Sequence, residues 1–164
     1  EIDFAVVAEL SKASDLVDST SPLEYIQRFR LPSGTTAGKA DKVWSDDRNI
    51  AASSSETPDI SGGLTDVFGD AFSPARIKGI IVEADEDNVN NVVVGAAASN
   101  QWAALLGATG TITLRPGAFF AAFAGTADAT AYVCTGGSAD QLKIANSGAG
   151  TAVDYKIVLI GASA

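Results

Sequence analysis

The sequence has no histidine and no methionine, a single cysteine (Cys134), and aromatic side chains at only 7% of its 164 positions. Without histidine there is no Ser-His-Asp triad, no Cys-His pair, no imidazole metal site and no side chain that ordinarily titrates near neutral pH. A lone cysteine forms no internal disulfide and no thiolate zinc cluster. Positive charge is scarce as well: 11 Lys and Arg stand against 20 Asp and Glu, for a net charge of -9. A surface this acidic repels phosphate backbones, so no nucleic acid partner is expected. Long apolar runs are missing too. The nearly apolar stretches at 77–84 and 153–161 fall far short of the roughly 18 residues that span a bilayer. The N-terminus lacks the basic cap and apolar block of a signal peptide, so no membrane partner is expected either. Methionine is absent even at position 1, which points to a chain that begins after processing or after a further segment.

What remains suits a folded domain. Hydrophobic residues make up 46% of the chain and charged residues 19%, a balance that can build a core without disulfides or metals. Residues 1–20 fit two patterns. Phe4, Val7, Ala8 and Leu10 suit one face of a helix, while Ile2, Phe4 and Val6 alternate as a strand does, and 11–20 reads as a loop. Residues 1–21 are therefore assigned to an N-terminal arm and 22–164 to the main domain.

From Leu23 the period is two: Leu23, Tyr25, Phe29 and Leu31 lie on one face, with Glu24, Arg28 and Arg30 on the other. That spacing predicts a strand with one buried and one wet face, ended by Pro32-Ser33-Gly34. Further strands are expected at 39–45 (with Val43 and Trp44), 76–84, 91–97, 111–115, 118–124, 131–135, 141–145 and 153–160. Two short extended pieces fit 49–63. Residues 64–72, with Val67, Phe68 and Phe72 around Gly69, read as a helical turn or corner plugging one end of the core, and 101–106 reads as one helical turn. The apolar run RIKGIIVEA (76–84) suggests burial on both faces, and the short turn after it suggests an antiparallel hairpin with 91–97. Eight to ten short strands, Gly- and Ser-rich connections and no amphipathic helix indicate an all-β antiparallel β-sandwich or jelly roll.

The chemistry-bearing motifs favour their plainer readings. GAGTAV (148–153) opens like a dinucleotide fingerprint, but Val153 replaces the third glycine and a strand follows, so a turn fits better. The acidic run Glu83-Ala84-Asp85-Glu86-Asp87-Asn88 could offer oxygens to calcium, yet the glycine and terminal Glu of an EF-hand loop are missing and charge runs usually face water. Asp46-Asp47 and the Asp66/Asp70 pair raise the possibility of glycoside hydrolysis, which sequence spacing alone does not support. Trp44 and Trp102 suit a core or a subunit interface better than a ligand platform. Cys134 lies in an apolar strand with no basic neighbour, the setting of a buried, unreactive thiol. No catalytic, cofactor-binding or metal-ligating residue is assigned, and no cofactor is expected. Small residues dominate the second half of the chain, which permits close packing between sheets or between chains, and strands with few charges leave apolar faces of the kind that mark subunit contacts.

Five segments, in order, then carry a resemblance. ADKVWSDDRNIAAS (40–53), GLTDVFG (63–69), NNVVVGAA (90–97), LRPG (114–117) and LKIANSGAGT (142–151) are similar to blocks found in small structural proteins of tailed bacteriophages and prophages. The likeness spans about residues 34–161 and leaves 1–33 uncovered. It implies a non-enzymatic virion component, a capsid decoration or spike subunit assembled in the bacterial host cytoplasm. Its expected partners are copies of itself, as a trimer or pentamer, and the major capsid protein or other virion proteins. The arm is expected to reach onto a neighbouring subunit. Two other readings are open: a tail-associated or host-glycan-binding module presenting loops 85–91 or 126–130, and a hydrolase working through Asp46, Asp66 and Asp87.

Overall fold

The computed structural model describes residues 2–164, which fall into two compact units divided between residues 31 and 32. Thirteen strands and no helix are present among the described residues.

The first unit is a two-stranded antiparallel hairpin. β1 (Ile2–Lys12) and β2 (Ser19–Phe29) pair over all eleven rungs, from Ile2 opposite Phe29 to Lys12 opposite Ser19. The alternation seen in 2–6 is therefore the one the chain uses, and it runs on through residues assigned to a loop. The expected division at 21/22 falls inside β2, and contacts separate the units ten residues later. Ser14 Oγ donates to Val17 O at 2.8 Å within the connecting turn.

The second unit is an antiparallel sandwich. Its first sheet runs β10 (Phe119–Phe123), β7 (Arg76–Ala84), β13 (Val153–Ala162), β3 (Lys42–Ile50), with β11 (Tyr132–Val133) on the same edge of β7 beyond β10. Its second runs β4 (Ser55–Glu56), β12 (Leu142–Asn146), β8 (Val92–Ala96), β9 (Thr111–Leu114). A separate two-rung ladder joins β5 (Leu64–Thr65) to β6 (Ala71–Phe72). The pairing is nested. β3 pairs with β13, β4 with β12, β7 with β10 and β8 with β9, so the outermost strands of the segment meet each other and so do the innermost. The β7–β13 and β8–β12 pairs then complete each sheet.

Period-two alternation fills the space between the sheets. Val153, Tyr155, Ile157 and Leu159 of β13 are all buried, as expected of that face, and meet Ile80, Val82 and Ala84 of β7 with Val92, Val94, Leu142 and Ile144 from the opposite sheet. A register shift between Ile160 and Gly161 opens a bulge in β7 at Lys78, which turns Ile77 back into the core. Lys78 itself is buried, with Nζ 3.4 Å from Asp128 O. Burial, then the neighbouring Arg76, lowers its pKa.

Three expectations need correction. β7 and β8 do not form a hairpin: they lie in different sheets. Residues 85–91 carry the chain across, because Asp85 N donates to Asp154 O and the Asn88 amide pairs with both backbone groups of Asp154, each at 2.8 Å. Asn91 and Ser147 then exchange hydrogen bonds beside β12. Residues 64–72 form the β5–β6 ladder, in which Leu64 and Phe72 turn inward while Val67 and Phe68 stand exposed at the tip. Asp66 Oδ1 accepts from both Phe68 N and Asp70 N and tightens that turn. In 101–106 the helical turn reduces to one i to i+4 bond, Gly107 N to Ala103 O.

Candidate functional site: two uncovered apolar faces

The hairpin is amphipathic. Directly opposed residues of an antiparallel pair share a face. One face therefore carries Phe4, Val6, Ala8 and Leu10 of β1 with Gln27, Tyr25, Leu23 and Ser21 of β2. The other carries Asp3, Ala5, Val7 and Glu9 with Arg28, Ile26, Glu24 and Pro22, including an Arg28–Asp3 ion pair of 3.4 Å. The predicted apolar face of Leu23 and Tyr25 exists, but it is not buried: Leu10, Leu23 and Tyr25 are 75%, 56% and 52% exposed. The strand edges are poor templates for further pairing. Pro22 has no N–H to offer, and Asp3, Glu9, Glu24 and Arg28 line them. The sticky surface is the face.

The sandwich has a second uncovered surface, the outer side of the β10-β7-β13-β3 sheet. Register aligns three rows across it. Val43, Ile160, Gly79 and Phe123 form the first, and Ser45, Val158, Ile81 and Ala121 the second. Asp47, Lys156, Glu83 and Phe119 form the third. Val43 and Phe119 are more than half exposed, and Ile81, Ala121, Phe123, Val158 and Ile160 are half-buried. Gly79 makes room for the Phe123 ring, since a Cβ at Gly79 would lie 2.6 Å from Phe123 Cδ1. The run 76–84, expected to be buried on both faces, is so from Ile77 to Ile80 and is covered on one face only from Ile81 onward.

The residues singled out for chemistry are spread over separate elements. Asp46 lies on β3, where Arg48 Nε donates to it at 2.9 Å; Asp47 is in the outer third row. Arg48 reaches with Nη1 to Glu56 of β4 at 2.6 Å, its guanidinium stands 5.3 Å from the Trp44 ring centroid, and Tyr155 donates its hydroxyl to the same Glu56. This network ties the edge strands of the two sheets together. Burial, then Glu56, raises the Tyr155 pKa well above its ordinary value. Glu56 and Arg48 gave no motif in the sequence; inward charge on strands predicted to lie at a sheet edge is the signal that could have found them.

Asp66 is occupied by the β5–β6 turn, and Asp85 by the N–H of Asp87 at 2.9 Å; Asp87 is exposed. Among the described residues no group of three or more Cys, Asp or Glu side chains is gathered that could hold a metal ion. Trp44 and Trp102 are both core residues, Trp102 donating Nε1–H to Val133 O at 3.0 Å and meeting Tyr132 edge-on at 6.4 Å. Cys134 is buried, and that burial pushes its thiol up to about 12. GAGTAV holds the β12–β13 turn, closed by Asn146, whose Nδ2 donates to Ile50 O, Ala51 O and Thr151 O. In loop 126–130, Asp128 Oδ1 accepts from Thr130 N and Ala131 N, which lowers its pKa.

Two apolar faces thus lie outside the core, while Asp66, Asp85, Asp128 and Asn146 are engaged in closing turns. Compared with family models, curated proteins and solved structures, the chain matches none.

Proposed function

We propose that this protein is a non-enzymatic structural subunit that works by associating with copies of itself, and that it serves as a bacteriophage virion component, a capsid decoration or spike. One observation carries the reading: an eleven-rung hairpin presents a continuous apolar face that its own unit does not cover. A two-stranded sheet alone is at best marginally stable in water, so a hairpin of this length and pattern calls for a partner surface. Apolar area removed from water on assembly stabilises the contact by roughly 25 cal/mol per Å². The five segments similar to tailed-phage structural proteins supply the virion setting, and the nested strand pairing supports reading the sandwich as a jelly roll, an architecture used by capsid domains.

The test is incorporation. Particles purified from a host expressing the wild-type chain contain it in stoichiometric, repeated copies. The Val6→Glu/Leu23→Glu variant, which charges the hairpin face, is missing from them. Particles that carry both forms equally, or neither, contradict the reading.

A further inference from the structure

We infer that the outer face of the β10-β7-β13-β3 sheet is a two-fold contact between copies of this chain, with β13 of each copy lying over β7 of the other. The inference rests on the self-association proposed above and names a surface for it.

Charge complementarity favours one orientation. Two sheets packed face to face by a two-fold have their axis in the plane of contact. An axis along the strands, between β13 and β7, exchanges β13 with β7 and β3 with β10 while keeping each row on itself. Val158 then meets Ile81, Val43 meets Phe123, Ser45 meets Ala121, and Lys156 meets Glu83, each twice. At the outer ends of the third row Asp47 meets Phe119, the one charged-on-apolar pair in the contact. An axis across the strands through the middle row lays Val43 and Ile160 on the charged third row instead. One through the third row stacks Lys156 on Lys156. One through the first row would stack Val43, Ile160 and Phe123 on their own copies but leave Lys156 and Glu83 out of the contact, so reversing those two charges separates it from the orientation that pairs them.

The charges are available for the contact. Lys156 and Glu83 are exposed cross-strand neighbours, yet among the described residues neither forms an ion pair within the chain. The face is also modest in size. Four strands about 4.8 Å apart and three rows about 7 Å apart cover roughly 400 Å², half of the ~800 Å² per partner typical of a stable pair. It therefore acts beside another contact, joining assemblies already held by their hairpins.

Chain mixing tests this. Lys156→Glu and Glu83→Lys, each in the full-length chain, place like charges across the two-fold, so each alone sediments as a species half the size of the wild-type assembly. Mixed one to one, every cross-copy pair becomes opposite in charge, and the wild-type size returns. Within each chain the two positions remain like-charged, so an effect confined to the monomer is not rescued by mixing. Single variants that sediment like the wild type, or a mixture that stays small, overturn the two-fold contact while leaving hairpin association standing. A monomeric wild-type chain overturns both.

Discussion

Two buried side chains give this fold a measurable alkaline limit. The Cys134 thiol ordinarily titrates near 9 and is pushed up to about 12 by burial; Tyr155 is raised above its ordinary 10 by burial and by Glu56. In both cases the folded chain holds a proton that the unfolded chain releases. Their contribution is fully present below pH 9 and is lost as pH rises, by up to about 1.4 kcal/mol per pH unit for each group. Urea midpoints measured from pH 8 to 11 should stay level and then fall from pH 9, more steeply above 10, and Cys134→Ala should flatten the part between 9 and 10. Tyr155→Phe removes a hydrogen bond to a charged partner and should lower stability by about 2 kcal/mol at pH 7, read from urea unfolding. At this scale the sequence was partly legible. The burial of Cys134 followed from its apolar neighbours, and Trp44 and Trp102 took the first of the two settings, core or subunit interface, expected of their indoles. The Arg48–Glu56–Tyr155 network was not legible, because it joins residues as far apart as 48 and 155 and depends on which strands lie at the edges.

Elements were legible where alternation was strict and one face wet. β13 met that condition, and its inward set of Val153, Tyr155, Ile157 and Leu159 is buried as expected. β7 was also found, but its partner was not. A turn of a few residues ordinarily signals a hairpin, whereas here Asp85 and Asn88 are hydrogen-bonded to Asp154 and the chain crosses to the opposite sheet. Side-chain amides that replace strand hydrogen bonds leave no periodic trace. Asn146 does the same work in the β12–β13 turn. Asn146→Ala abandons the carbonyls of Ile50, Ala51 and Thr151 and should lower stability by about 2–3 kcal/mol, seen as an earlier urea midpoint. The hairpin is the converse case: its apolar face was legible and its lack of cover was not, since alternation says which side chains share a face but not what lies over them. Val6→Glu/Leu23→Glu should abolish the larger species in solution while leaving the thermal midpoint of the sandwich unchanged, because its core draws on residues from Trp44 onward.

At the scale of the molecule, the chain divides its apolar residues between one closed core and two exposed faces, with Lys78 and Asp140 as its buried charged residues. On the function proposed above, that division leaves two surfaces for other copies to cover. The most direct measurement is the mass of the full-length chain in solution, by sedimentation equilibrium at micromolar concentration. The account predicts a defined multiple of 16.7 kDa that dissociates on dilution. A single species at 16.7 kDa across that range would contradict it.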